Sequence, residues 1–272
     1  MVSRQSGSWL KRALYGLRRS PRLFYNAIAT FLMNHGYNRS PLDNCLFHKI
    51  DTETGEKIFF CTHVDDFAIA ATNPQLIEEL CAILKTEYII TESDTMESFL
   101  GVNMQRENGH LYLSQPGLIA KMVKKAGLPG AVRYYGNPMR EDFRDEHQDD
   151  APPCSQEMFC SLLGMLIYVL RTWPDVAIAV NRMATRSIGA TERDLDAVKR
   201  IVAYLRCTAH LELVYSTQDD RQRRAIAELH AWSDAAYNCH RDSKPHLGIC
   251  FTYGEPPGDW LLLCTEQEVD DG

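Results

Sequence analysis

Two carboxylates stand side by side at Asp65 and Asp66, inside the stretch FFCTHVDDFAIAAT that runs from Phe59 to Thr72. The short apolar runs on either side are rich in aromatic and β-branched residues, so they predict two strands with a hairpin turn between them and both aspartates at the tip. Aspartate tolerates turn conformations, and a solvated tip accounts for the pair without any chemistry. Neighbouring carboxylates held by flanking strands are also a site for a divalent cation of the magnesium kind. The hairpin alone leaves both readings open.

A second candidate lies upstream. Before Asp43 the sequence holds no acidic residue, while Arg4, Lys11, Arg12, Arg18, Arg19, Arg22 and Arg39 fall in the same stretch. Ser20 and Pro21 predict a helix start, Ser20 as cap and Pro21 at the first helical position, and Phe24, Ala27, Ile28, Phe31 and Leu32 follow at helical spacing. Arg18, Arg19 and Arg22 would then crowd the positive end of a helix dipole. A bound phosphate resolves that conflict, because N-terminal amides and arginines together hold anions; arginines reaching into solvent are the plain alternative.

The rest of the chain supplies positioning elements. With 272 residues and 45% hydrophobic content the composition is that of a globular protein with a core, and the net charge of −7 conceals a basic start and an acidic run, EDFRDEHQDD, from Glu141 to Asp150. Nine scattered cysteines without a CxxC pair fit reduced thiols in a cytosolic or nuclear setting better than a disulfide framework. The longest apolar run, LLGMLIYVL, falls far short of the ~20 residues of a membrane span, and the first residues carry no apolar core of a signal peptide. The stretch NPQLIEELCAILKTEY, residues 73–88, reads as an amphipathic helix that covers the sheet, marked by Leu76, Leu80, Ile83 and Leu84, and SFLGVNMQRENGHLYLSQ as a further hairpin turning at Glu107 to His110. Helices follow from Pro116, from Ser155, from Thr172 and from Thr191, and the sequence ends in strand-like runs.

Taken in order, these segments match a known pattern. LKRALYGLRRSPRLFYNAIATFLMNHGYNRSPLDNCLF resembles the LYGLKQSPR segment of the reverse transcriptases of copia-type LTR retrotransposons, and HVDD stands where that family usually has YVDD. FLG at Phe99, Leu100 and Gly101 resembles the primer-grip hairpin; LYLSQ, SLLGMLIYVLRTWPDVAIAVNRMA and YLRCT follow in the family's order, and AWSDAAY resembles the YSDADW that opens the ribonuclease H domain.

The resemblance implies an α+β fold: palm with hairpins over 1–106, a thumb-like part over 107–140, an acidic linker over 141–153, a helical connection over 154–210 and the start of a ribonuclease H-like α/β domain over 211–272. It implies RNA-directed DNA synthesis from an RNA template, a DNA primer and deoxynucleotides, with two Mg2+ or Mn2+ ions. Asp65 and Asp66 become metal-site carboxylates. Arg18, Arg19, Arg22, Gly16 and His63 would line the nucleotide and template, Gly16 by letting the backbone approach its neighbour or ligand. Asp234 matches the first ribonuclease H carboxylate, and Glu266 lies in TEQE, which resembles the later TEAE but comes too early. The family's first palm aspartate falls upstream of LYGL, where this sequence offers no acid. The resemblance therefore implies an incomplete carboxylate set, a chain inactive without the missing polyprotein portion. A non-enzymatic, element-derived protein that binds nucleic acid or protein is the rival reading.

Overall fold

The computed structural model describes residues 14–93, 95–130, 134–140, 151–216, 228–236, 246–254 and 260–268. The acidic run 141–150 and the basic residues Arg4, Lys11 and Arg12 lie outside the described residues. By contacts the chain divides into two compact units, Met1–Met96 and Glu97–Gly272. The boundary therefore falls before the FLG hairpin, which the sequence reading had grouped with the first segment.

In the first unit, helix α1 (Ser20–Asn34) is followed by an antiparallel sheet in the order β1 (Asn38–Arg39), β2 (Leu46–Ile50), β3 (Lys57–His63) and β4 (Asp66–Ala71), then by α2 (Pro74–Leu84). Along β3 burial alternates, with Ile58, Phe60 and Thr62 inside and Lys57, Phe59 and His63 outside, as a strand with one buried face requires. Only the second phenylalanine of the FF pair is core. The core joins Ile28, Phe31 and Leu32 of α1 to Phe47, Ile58 and Phe60 of the sheet and Leu80 and Leu84 of α2. Ala27, expected on the inner face of α1, is exposed. Asn73 caps α2, its side chain accepting from the Gln75 amide at 3.0 Å.

In the second unit, β5 (Ser98–Phe99), β6 (Val102–Glu107) and β7 (His110–Ser114) form an antiparallel meander, and β8 (Leu213–Ser216) joins its edge by pairing with β7. The sequence reading placed β8 with the last segment; backbone pairing puts it about a hundred residues back along the chain. Helices α3 (Pro116–Lys125), α4 (Gln156–Val169), α5 (Ala177–Ala184) and α6 (Glu192–Cys207) enclose a separate core around Met122, Phe159, Leu166, Val180, Val198 and Val202. A single 3-10 turn, Pro174–Val176, precedes α5, so the helix expected from Thr172 starts later. Thr191 and Asp194 form a reciprocal capping box at the start of α6. Three more strands, β9 (Glu228–Ala236), β10 (His246–Gly254) and β11 (Trp260–Glu268), pair antiparallel with β10 in the middle. Among the described residues no helix is long and apolar enough to cross a membrane.

Three two-residue hairpin turns show graded backbone strain. Asn108 and Gly109 take φ of 50° and 76° between β6 and β7, the residue types such a turn prefers, and at the position the sequence indicated. Leu100 and Gly101 take 50° and 72° between β5 and β6, so a leucine occupies a conformation suited to glycine or asparagine. Between β3 and β4 the first turn residue is Val64, with φ of 56°. A β-branched side chain there is strained, at a cost of about 1–3 kcal/mol.

Two stability measurements follow from these observations. Phe60 is fully buried between Phe47 and Phe67, so Phe60→Ala should lower the unfolding free energy of the first unit by about 3–5 kcal/mol in urea titration. Val64 is 43% exposed and has little packing to lose. Val64→Gly should raise that stability by about 0.5–1 kcal/mol, the relief of strain exceeding the added freedom of the unfolded chain; an unchanged or lower midpoint would show that the turn is unstrained.

Candidate active site

The hairpin pairs His63 directly with Asp66, so Val64 and Asp65 form the turn and Asp66 opens β4. The expectation that both aspartates occupy the tip is corrected by one position: Asp65 is in the turn and Asp66 is the first paired residue of the strand. His63, Asp65 and Asp66 are all exposed. Cross-strand neighbours on one face bring their Cβ atoms within about 4.5–5.5 Å, so the imidazole of His63 belongs to the surroundings of Asp66. Behind them Cys61 is half-buried, and burial, reinforced by the charge of Asp43, pushes its thiol above the usual range. That thiol stays protonated at neutral pH and is a filler of the sheet, not a nucleophile.

The ring of Phe67, next to Asp66, fixes this end of the sheet. It lies 4.9 Å from the ring of Phe60 and stacks at 6.4 Å, 13° from parallel, on Phe24 of α1. Phe24 in turn meets Tyr88 edge-on at 6.2 Å, and Tyr88 meets Phe31 at 5.4 Å. The stack brings the first turn of α1 and the first residues of β4 to the same end of the unit. Arg22 stands two residues from Phe24, and Asp66 one residue from Phe67. Tyr25 strengthens the junction by donating its hydroxyl to the Asn44 carbonyl at 2.7 Å. Sequence periodicity marked Phe24 as core but gave no signal for its partner, because stacking depends on how the helix crosses the sheet.

At the start of α1 the cap is Arg19, in helical geometry and without a side-chain cap, while Pro21 sits in the first turn as expected. The assignment of Ser20 as cap is corrected: it is the first helical residue, and its hydroxyl donates to the Leu14 carbonyl at 2.6 Å. A turn closed by the Leu17 amide on the Leu14 carbonyl carries Gly16 at φ of 90°. Its glycine is required by that positive φ; the expected close approach finds no atom of the described chain within 4 Å of a Cβ built there. Arg18, Arg19 and Arg22 are exposed, and the first turn of α1 has no acidic residue. Tyr15 beside them is 92% exposed.

A magnesium-type ion takes one or two protein carboxylates and completes its shell with water and substrate phosphates. Asp65 and Asp66, adjacent and exposed, fit that donor set. Among the described residues no group of three or more His, Cys, Asp or Glu forms a cage that holds a metal by itself.

The other expected site residues lie in the second unit. Phe99 closes the β5–β6 hairpin opposite Val102, and the Leu100 carbonyl accepts from the Tyr168 hydroxyl on α4. Arg171 sits over the Tyr168 ring at 4.1 Å. No sequence signal pointed to Tyr168. Asp234 on β9 and Glu266 on β11 pair with the same central residue, Gly248 of β10, so the two acids occupy one row across three strands.

The family model described as Reverse transcriptase (RNA-dependent DNA polymerase) matches residues 4–140. The chain is 26% identical over 253 residues to the Retrovirus-related Pol polyprotein from transposon RE1 of Arabidopsis thaliana, covering 92% of this chain and 17% of the relative. With the corresponding polyprotein from transposon TNT 1-94 of Nicotiana tabacum it shares 25% identity over 261 residues, covering 92% and 19%. An uncharacterized mitochondrial protein of Arabidopsis thaliana is 24% identical over 151 residues, 56% of this chain and 62% of the relative. The chain thus spans less than a fifth of the length of the two transposon polyproteins. No solved structure matches. A family match over half of the chain establishes that this protein belongs to the reverse transcriptase family, and over nearly all of its length it is similar to the Pol polyproteins of copia-type retrotransposons.

Proposed function

We propose that the first unit is the palm portion of an RNA-directed DNA polymerase, and that its hairpin and arginine turn form one site for nucleotidyl transfer. The observation that supports this most is the Phe24–Phe67 stack, which ties the helix that begins beside the three arginines to the strand that opens at Asp66. Opposite charges collected on one rigid frame suit a substrate that is itself a polyanion carrying cations.

In this reading Asp65 and Asp66 would hold Mg2+ or Mn2+ for an incoming deoxynucleotide. Such a cation would supply activation of the primer hydroxyl and compensation of charge at the leaving pyrophosphate. Arg18, Arg19 and Arg22, with the N-terminal amides of α1, hold template and nucleotide phosphates without regard to sequence. His63 borders the nucleotide beside Asp66. Phe99, Leu100 and Gly101 position the primer end; α3 acts as thumb; α4 to α6 are the connection; and Asp234, with Glu266, belongs to a ribonuclease H-like part.

Metal binding tests the hairpin directly. Titration of the folded chain with Mn2+, followed by calorimetry, should give weak binding that falls at least about tenfold in Asp65→Asn/Asp66→Asn, because removal of two charges leaves no anionic ligand at the turn. Equal affinity in both proteins would reduce the pair to a solvated turn.

The arginine turn has its own measurement. Binding of a single-stranded oligonucleotide should weaken linearly in log–log salt titration, and Arg18→Ala/Arg19→Ala/Arg22→Ala should reduce the slope by about 2, from about 0.7 per lost phosphate contact. An unchanged slope would place the nucleic acid elsewhere.

A further inference from the structure

Outside the hairpin site, the second unit contains a tyrosine that the packing of its own helix does not require. Along α4 the buried residues Phe159, Leu162, Leu163, Leu166 and Val169 form one stripe, at the spacing of a helix packed on one side. Tyr168 lies about two and a half turns beyond Phe159, and so on the far side of α4 from that stripe. It is nevertheless half-buried.

The turn of the β5–β6 hairpin lies against it. The Tyr168 hydroxyl donates to the Leu100 carbonyl, and a Cβ built on Gly101 would stand 3.7 Å from the hydroxyl oxygen and 3.8 Å from a ring carbon. Arg171 lies over the same ring, 4.1 Å from its centroid. The ring is thus restrained at its polar end and on one face.

The turn has little other support. β5 is a two-residue edge strand, paired through Ser98 with Asn103 and through Phe99 with Val102. Directly after it Leu100 holds φ of 50°, where a residue with a Cβ is disfavoured. A hydrogen bond to the Leu100 carbonyl fixes the plane of the peptide that joins Leu100 to Gly101, and with it the path of the turn.

We propose that Tyr168 is a positioning residue: from α4 it sets the placement of the Leu100–Gly101 turn, and through that turn the placement of the primer's 3' end. The inference rests on the reading of this hairpin as the primer contact, and it adds the side chain that makes the contact reproducible. A misplacement of about 1 Å at a reacting end costs about a hundredfold in rate, so a turn without this tie holds a strand but does not present its end.

The test uses the full chain and a DNA primer annealed to an RNA template, with the fluorescent base 2-aminopurine either at the primer's 3' end or in mid-strand. Binding should change the fluorescence of the terminal probe more than that of the mid-strand probe. Tyr168→Phe keeps the ring and its contact with Arg171 and removes only the hydroxyl. It should cut the terminal response by about half or more, while the affinity, read by anisotropy of a dye on the template, shifts by less than about twofold, because phosphate contacts carry the affinity. With Leu100→Gly as the parent the same substitution should have less than about half that effect, since glycine takes the positive φ unaided. A terminal response unchanged in Tyr168→Phe overturns the proposal. So does a loss shared equally by both probes, or one of the same size in the Leu100→Gly parent, since either marks Tyr168 as a residue of general stability. Equal responses of the two probes in the unsubstituted chain would show instead that the hairpin does not meet the primer's end, and the primer-contact reading then falls together with the proposal.

Discussion

Exposed charges in water are loosely placed: long side chains sample many rotamers and salt screens them beyond about 8–10 Å. The site proposed from Asp65, Asp66 and three arginines therefore requires that the backbone carrying them be held from beneath. In this protein that support is the ring of Phe67. It sits one residue from the carboxylates, packs on the fully buried Phe60 within the sheet and stacks on Phe24 in the first turns of α1. Helix and hairpin are thereby joined through one aromatic contact.

The hairpin also carries backbone strain. Val64 holds a positive φ that glycine would adopt freely, next to the two acids, and the buried residues of β3 and the rings around Phe67 over-determine it. A second non-glycine turn, at Leu100, is held by the hydroxyl of Tyr168. The third turn, Asn108–Gly109, uses the residues its geometry favours. Strain thus separates the two hairpins that the family resemblance associates with function from the one that only connects strands.

The second unit illustrates how one helix serves two purposes. The apolar stripe of α6 completes a core with α3, α4 and α5, and its cap is secured by the Thr191–Asp194 box. Its other stripe carries Arg193, Asp196 and Arg200. Because a 3.6-residue period separates the two stripes, the charged face could change without disturbing the packed one.

Sequence alone determined a good deal. Helical spacing located α1, α2, α3, α4 and α6, the turn residues located Asn108–Gly109, and the ordered motifs from LYGL to HVDD pointed to the family that the comparisons established. These features are local, and local steric and capping preferences are encoded within a few residues of where they act. What only the tertiary structure decided is non-local or differs by a single residue. The turn falls on Val64 and Asp65 because pairing of His63 with Asp66 sets the register; β8 returns to β7 because an open sheet edge lies there; Ser20 turns its hydroxyl back to Leu14 instead of capping; and Phe24 meets Phe67 because α1 crosses the sheet at that strand. Such contacts join residues tens of positions apart, and no periodicity in the chain records which strand a helix will cross.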